Sequence, residues 1–197
     1  MKVLKVICLG LIGAVLSFQN VSAETMSYEI DGTHSTLGFA VKHLQVGTTR
    51  GGFNDYKGSI SFDPDNYDAF KADVTIKASS IDTDLEARDN HLKSDDFFAV
   101  ETYPAITFTS DRLEQRGEGT VIVGDLTIKG ITKTLTIPVQ ISGPVKSPFG
   151  SSVIGITGQT FINRQDFNIT WNKSMDSGGY VVGDEVNLII EIEAHHK

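Results

Sequence analysis

Asp31, His34 and Ser35 are the residue types of a hydrolytic triad and lie close together in the sequence. In extended chain, however, the adjacent side chains of His34 and Ser35 point to opposite faces, whereas a triad needs the hydroxyl within reach of the imidazole. The chain also has no G-x-S-x-G motif, the strained turn that presents a nucleophilic serine in many hydrolases. We therefore expect a turn at residues 31–33, after which His34 begins a strand, and no catalytic residue.

The histidines offer ring nitrogens to a metal ion, but their spacing does not match a local zinc site. No two of them lie four residues apart, as paired zinc ligands on a helix do. His34 and His43 are nine residues apart on opposite faces of one predicted strand. His195 and His196 lie at a terminus that we expect to fray. The sequence thus predicts no metal site.

His43 continues the alternation of Leu37, Phe39 and Val41, which predicts that its side chain points inward near a barrel mouth. A histidine in such a position is either a hydrogen-bonded core residue or a partner for the polar head of a ligand. The sequence leaves both interpretations open.

Residues 79–110 interrupt a pattern of alternating apolar and polar residues that holds on both sides of them. The charged stretch at residues 85–92 predicts a short helix, and Ser94 is placed to cap a second helical turn. We expect this insertion to pack over or beside one opening of a barrel, with Phe97 and Phe98 as its anchors.

The charged residues of the insertion have two interpretations. Arg88 and Asp89 either fix the helix to the barrel rim, or Arg88 or His91 meets the polar head of a ligand at the mouth. In the second interpretation an apolar lip surrounds the mouth, formed by Leu85, Leu92, Phe97 and Phe98.

The remaining chain alternates between apolar and polar residues in about eight or nine segments separated by turn residues, which predicts an all-β fold with one helical insertion. A sandwich and a closed barrel both fit this pattern. The lack of a cysteine pair after Ala23 and the glycines within strands at positions 38, 124, 155 and 158 favour a curved barrel. Asn163 to Phe167 predicts a turn, with Arg164 paired to Asp166.

Four segments in this order resemble the YceI-like family of secreted lipid-binding proteins: residues 31–44, 79–110, 124–139 and 162–169. The resemblance extends over nearly the whole chain after Ala23. It implies an antiparallel lipocalin-like barrel of about eight strands around an elongated apolar cavity. It also implies a polyisoprenoid chain as the ligand, with no other cofactor.

Strand faces and the insertion together indicate which side chains reach that cavity. We expect ligand contacts from Leu37, Phe39, Val41, His43, Val74, Ile76, Arg88, His91, Phe97, Phe98, Phe108, Leu188 and Ile190. Residues 186–192 should form a late strand that pairs near the first strand and closes the sheet, facing inward with Val186, Leu188, Ile190 and Ile192.

The first 23 residues have the pattern of a secretory leader: Lys2 and Lys5, then an apolar run too short to span a bilayer, then a small-residue cleavage site ending at Ala23. We expect a periplasmic mature domain at residues 24–197, without the single cysteine, Cys8. Loss of the two lysines would take the net charge from −8 to −10. Such an acidic domain is not suited to nucleic acid, and no later segment predicts stable membrane insertion.

These observations favour a non-enzymatic binding protein that carries a long isoprenoid lipid, either a polyprenyl chain or the tail of a quinone. A homodimer is compatible with the sequence. Two alternatives remain: an enzyme that acts on a bound lipid, and a β-sandwich interaction module with a filled core.

Overall fold

The computed structural model describes residues 25–176 and 178–196, so the expected leader and its cleavage site lie outside the described residues. It contains one helix, α1 (Glu86–Lys93), and eleven strands. The strands are β1 (Met26–Ile30), β2 (Thr36–His43), β3 (Gly47–Phe53), β4 (Tyr56–Phe62), β5 (Lys71–Lys77), β6 (Ile81–Asp82), β7 (Ala105–Arg116), β8 (Gly119–Ile128), β9 (Ile131–Lys146), β10 (Ser152–Asn163) and β11 (Val182–His196). Short 3-10 turns lie at Tyr67–Ala69, Ala78–Ser80 and Arg164–Phe167.

Eight of the strands form a closed antiparallel ring, in the order β1, β4, β5, β7, β8, β9, β10, β11 and back to β1. The fold is therefore the barrel that the alternation and the family resemblance predicted, and the alternative of an open two-sheet sandwich is wrong. No helix among the described residues has both the length and the apolar character needed to cross a bilayer.

The last strand closes the barrel, as the sequence predicted. β11 pairs with β10 along nearly its full length, from Asn163 opposite Glu185 to Ser152 opposite His196. Its other edge pairs first with β2 and then, near its end, with β1. β1 and β2 therefore lie end to end along a single neighbour. Because His195 pairs on both sides, the expectation of a frayed terminus at this residue is wrong.

The two ends of the barrel are built differently. At the lower end, where β1 and β4 pair, the ring is continuous. At the upper end, β2, β3 and the two-residue β6 branch away from β11, and β6 pairs with β3 over only two positions. Residues 83–104, which we call the cover segment, follow β6 and lead into β7.

Two clusters of buried hydrophobic side chains correspond to these ends. The lower core consists of Tyr28, Ile60, Phe62, Phe70, Ala72, Leu113, Ile122, Ile154, Ile156 and Ala194. The upper core consists of Ala78, Phe97, Val100, Ile106, Leu126, Ile128, Ile162, Phe167 and Ile169.

Within the cover segment, α1 forms where the sequence predicts it, but Ser94 acts differently from the prediction. Its hydroxyl donates backward to the carbonyl of His91 over 2.7 Å, so that it terminates α1 instead of capping a second helix. The following residues form hydrogen-bonded turns, in which the amide nitrogens of Phe97 and Ala99 donate to the Ser94 carbonyl.

Candidate functional site: an apolar cavity in the barrel

An apolar cavity runs through the barrel between the lower and upper cores. Its volume is about 220 Å3, and it opens to solvent at a mouth. Apart from Gly38 and Arg164, every lining residue is aliphatic or aromatic. The wall presents almost no polar surface, so its chemistry suits a hydrocarbon ligand.

The period of two along each strand produces this wall, because alternate side chains of a barrel strand point inward. β2 contributes Leu37, Phe39 and Val41. β11 contributes Val186, Leu188, Ile190 and Ile192, the four residues predicted to face inward. The opposite wall comes from other strands, with Val74, Ile76, Ile106, Phe108, Leu126, Ile128, Leu135 and Ile137 among its members.

The cover segment closes the upper end by spanning the barrel. On one side, the rings of Phe98 and Phe53 meet edge to face with centroids 5.9 Å apart. On the other side, Phe97 packs 5.3 Å from Trp171, which lies beyond β10. Lys129 of the β8–β9 turn donates to the Asp95 carbonyl over 3.2 Å. The insertion thus packs over the opening, as expected, and Leu92, Phe97 and Phe98 line the cavity from above.

Leu85 does not belong to the apolar lip that the sequence predicted. Its side chain is 52% exposed, because Leu85 precedes the first residue of α1 and lies on the outside of the turn. The lip consists of the other three residues of that prediction, which follow at the far end of the helix.

Arg88 and Asp89 bond to Thr83, the residue that follows β6, and neither lines the cavity. Buried Asp89 accepts two hydrogen bonds from Thr83 on one oxygen, from the amide nitrogen at 3.0 Å and from the hydroxyl at 2.5 Å. Arg88 donates to the same threonine, through Nε to Oγ1 at 2.7 Å and through Nη2 to the carbonyl at 2.5 Å. This geometry favours a structural task for these charges, which fix α1 to the residue that follows β6.

His91 lies behind the lip and not within it. Its ring meets Phe97 and Trp171 edge to face, at centroid distances of 5.0 Å and 4.9 Å, and its Nε2 lies 2.9 Å from Asp96 Oδ2. Phe97 lines the cavity, whereas His91 does not.

His43 is exposed and lies outside the cavity wall, so the inward orientation predicted for it is wrong. β2 ends at His43 and the turn to β3 begins immediately afterwards. The period of two places the residue on the correct side of the strand, but at a height where the barrel no longer encloses it. Of the candidate ligand contacts, ten line the cavity, and only His43, Arg88 and His91 do not.

Arg164 is the one ionisable residue of the described chain that borders the cavity, and the sequence did not single it out. It is 4% exposed. Its Nε donates to the Gly183 carbonyl at 2.9 Å, and its Nη1 to the carbonyls of Ile169 at 2.6 Å and Trp171 at 2.9 Å. Its Nη2 donates to Asp184 at 2.9 Å, so the expected pairing with Asp166 is wrong.

The hydrogen bonds of Arg164 decide what it offers to a ligand. Because the guanidinium is committed to carbonyls and to Asp184, the residue presents mainly its aliphatic stem to the cavity. Burial lowers the pKa of Arg164 from its usual value, while the carboxylate of Asp184 opposes that effect. Its structural task is to join the segment after β10 to the start of β11.

Asp31, His34 and Ser35 are close in space but are not arranged as a triad. His34 Nδ1 lies 2.8 Å from Asp31 Oδ2, whereas the Ser35 hydroxyl bonds to the backbone of Glu193. Hydrogen bonds from Thr33 and His34 hold the pKa of Asp31 well below its usual range. The hydrogen bond to Asp31 in turn raises the pKa of His34.

Comparison with known proteins agrees with this architecture. A model of the YceI-like domain matches residues 28–194. The UPF0312 protein SAS2572 of Staphylococcus aureus (strain MSSA476) is 40% identical over 163 residues, which cover 82% of this chain and 93% of that protein.

Solved structures share the barrel. The Campylobacter jejuni YceI protein is 39% identical, with a TM-score of 0.68, over 79% of this chain and 90% of its own. Burkholderia cenocepacia BcnA is 27% identical, with a TM-score of 0.73, over 83% of this chain and 98% of its own. A polyisoprenoid-binding domain from Saccharophagus degradans, 16% identical, superposes with a TM-score of 0.67 over 87% of this chain and 99% of its own.

Proposed function

This chain belongs to the YceI-like domain family, and from that premise we propose that it binds a long isoprenoid lipid in its barrel and carries it without chemical change. The observation that supports the proposal most directly is the cavity wall, which is apolar from the lower core to the cover segment. The barrel wall would separate such a chain from water, except at the mouth.

The composition of the wall restricts the part of the ligand that is enclosed. An anionic group needs hydrogen-bond donors or a free cation when it leaves water. The only ionisable lining residue of the described chain is Arg164, and its guanidinium is already bonded to three carbonyls and to Asp184. The enclosed portion is therefore a neutral hydrocarbon, and any charged head group stays at the mouth or outside it.

The binding free energy of such a chain is adequate without any dominant contact. Burial of ten methylene-sized groups contributes about 8 kcal/mol before the costs of association. Without those costs it would correspond to about micromolar affinity, so the net affinity depends on how many further groups the cavity encloses. Many similar contacts along the wall supply it, so no single lining residue should decide binding.

The isoprenoid class is favoured over a straight acyl chain by the ligand named for the Saccharophagus degradans domain, which has the same fold. The wall combines wide side chains such as Phe39, Phe98 and Phe108 with narrower aliphatic ones. We extend the proposal to the periplasm, on the strength of the leader pattern in residues 1–23.

A lipid-modifying enzyme is the competing function, and the geometry does not favour it. Such an enzyme needs an acid, a base or a nucleophile within reach of the ligand. His43 was the one candidate in the sequence, and it lies outside the cavity wall.

The proposal is tested by blocking the cavity. Val41 lines it, and Val145 lies on an outer strand position that is 61% exposed. We expect Val41→Trp to fill part of the cavity and to reduce the lipid recovered with the purified protein at least about tenfold. Val145→Trp, the matched control, should keep the lipid content of the wild type.

The measurement is mass spectrometry of organic extracts from the native protein and both variants, with folding checked by circular dichroism. A folded Val41→Trp protein that retains the full amount of an isoprenoid would contradict enclosure in this cavity. Extracts that contain acyl lipids but no isoprenoid would contradict the ligand class alone.

A further inference from the structure

A cluster of metal-ligand side chains lies on the outer surface of the barrel, away from the cavity. It forms where β11 passes the break between β1 and β2. Because Ala194 is fully buried, its neighbours Glu193 and His195 point to the outer surface. Asp31 and His34, in the loop that joins β1 to β2, lie against them.

Asp31 is the centre of this cluster. Its Oδ2 lies 2.8 Å from His34 Nδ1 and 3.8 Å from His195 Nε2. Glu193 Oε1 lies 2.7 Å from the same nitrogen of His195. Ligand atoms of Asp31, His34 and Glu193 all lie within 4.8 Å of one another. One imidazole nitrogen and two carboxylate oxygens thus converge on a small volume, and His195 adjoins them through its contacts with Asp31 and Glu193.

We infer that Asp31, His34, Glu193 and His195 form a binding site for a divalent transition cation, and that Zn2+ is the ion that fits best. Zinc takes four nitrogen or oxygen ligands in a tetrahedron at about 2.0–2.2 Å, which places neighbouring ligand atoms about 3.3 Å apart. The contacts at 2.8 Å, 2.7 Å and 3.8 Å straddle that spacing. Two imidazoles also make the site unsuited to Mg2+ and Ca2+, which prefer oxygen ligands alone.

The surroundings orient the ligands as second-sphere contacts do in metal sites. Thr33 donates from its amide nitrogen at 2.8 Å and its hydroxyl at 2.6 Å to Asp31 Oδ1, which leaves Oδ2 for the ion. Ser151 Oγ lies 3.5 Å from His195 Nδ1, on the far side of the ring from the carboxylates. His195 therefore presents Nε2 to the cluster.

The backbone fixes the distance between the two halves of the site. The Asp31 amide nitrogen donates to the Glu193 carbonyl at 2.9 Å, and Ser35 Oγ accepts from the Glu193 amide nitrogen at 2.9 Å. An ion can still enter from solvent, because the His34 side chain is 64% exposed. Binding there would join the loop to β11 and stabilise the seam at which the barrel closes.

A purely structural cluster of hydrogen-bonded charges is the alternative, and metal titration separates the two. Protein without a polyhistidine tag is titrated with ZnCl2 at pH about 8, where imidazole is neutral, in competition with a chromophoric chelator. We expect one ion per chain. His34→Ala and His195→Ala should each weaken binding more than about tenfold.

His196→Ala is the matched control. His196 is adjacent in sequence, but its Nδ1 contacts the Ser27 carbonyl at 2.8 Å and its ring packs on Tyr28, away from the cluster. This variant should bind zinc like the wild type. Nuclear magnetic resonance of the wild type provides a second readout that needs no substitution, with zinc-induced shifts confined to residues 31–35, 151 and 193–195.

Two results would overturn the inference. One is a wild-type protein without a stoichiometric zinc site. The other is zinc binding that His34→Ala and His195→Ala leave unchanged, or resonance shifts centred on other histidines. Neither result bears on the lipid proposal, because the cavity and this cluster share no residue.

Discussion

The lower and upper ends of the barrel are closed by different means. At the lower end, the ring of eight strands is continuous, and Tyr28, Phe70 and Ile154 are at most 1% exposed. At the upper end, the closure depends on the cover segment, which contacts the barrel through side chains: Phe98 packs on Phe53, and Lys129 donates to the Asp95 carbonyl. Backbone ladders break only when strands separate, whereas side-chain contacts can open locally. The lower end therefore supplies stability, and the upper end supplies access to the cavity.

The largest loss of stability should come from a substitution in the lower core. Ile154 is 1% exposed among tightly packed neighbours. We expect Ile154→Ala to lower the free energy of unfolding by about 3 kcal/mol, because the substitution leaves a cavity that the rigid ring cannot collapse. Chemical denaturation measures this change. Ile154→Val, the control, should lose about 1 kcal/mol. Equal losses in both variants would mean that the lower end is loosely packed.

The second test removes hydrogen bonds by which Arg164 joins the segment after β10 to the start of β11. Lysine in place of Arg164 has one ammonium group and cannot reach all three carbonyls that the guanidinium bridges. We expect Arg164→Lys to cost about 2 kcal/mol and to speed amide hydrogen exchange in residues 168–172. Arg112→Lys alters an exposed ion pair with Glu114 and should change stability by less than about 0.5 kcal/mol. Faster exchange throughout the barrel after Arg164→Lys would contradict a local role.

The third test concerns access more than stability. Phe98 lines the cavity from the cover segment and packs on Phe53. We expect Phe98→Ala to release a fluorescent polyprenyl analogue about tenfold faster, with the barrel still folded, because the lip no longer fills the mouth. Phe149→Ala removes a ring that is 95% exposed and should leave release unchanged. Wild-type release rates in a folded Phe98→Ala protein would show that lipid leaves by another route.

The smallest effect on stability and lipid release is expected from the hydrogen bonds between Asp89 and Thr83, which hold α1. Asparagine at position 89 keeps an acceptor for Thr83 but loses the charge that strengthens both hydrogen bonds. Asp89→Asn should cost about 1 kcal/mol and raise lipid release a few-fold. Asp96→Asn, at an exposed carboxylate of the same segment, is the control and should have less effect in both measurements. Larger effects of Asp96→Asn than of Asp89→Asn would mean that another residue of the cover segment holds α1 in place.

Features of the fold that depend on local periodicity, such as the inward faces of strands, could be predicted from the sequence. The inward faces of β2 and β11 follow from a period of two, and the structure confirms Leu37, Phe39, Leu188 and Ile190 as cavity wall. Periodicity does not report where a strand leaves the barrel, which is why His43 was placed inward. The helix α1 was also predictable, because its charged, helix-forming residues contrast with the strands on both sides.

Contacts between distant segments were beyond sequence reasoning. Arg164 meets Asp184 only because β10 and β11 run antiparallel and bring the turn beside the start of β11. The sequence offered only the neighbouring Asp166 as a partner for Arg164. Asp31 and His195 likewise meet only through the pairing of β1 with β11, so no spacing rule could connect them.

The end-to-end placement of β1 and β2 along β11 has a consequence for how the molecule folds. Because the final strand fills the slot between β10 and the first two strands, every earlier folding intermediate exposes two unpaired sheet edges. Contacts between residues near 30 and residues near 194 have a large sequence separation, which slows the rate-limiting step. A nascent chain that ends before Val182 should therefore remain open and vulnerable to aggregation, and only addition of the last strand commits it to the native topology.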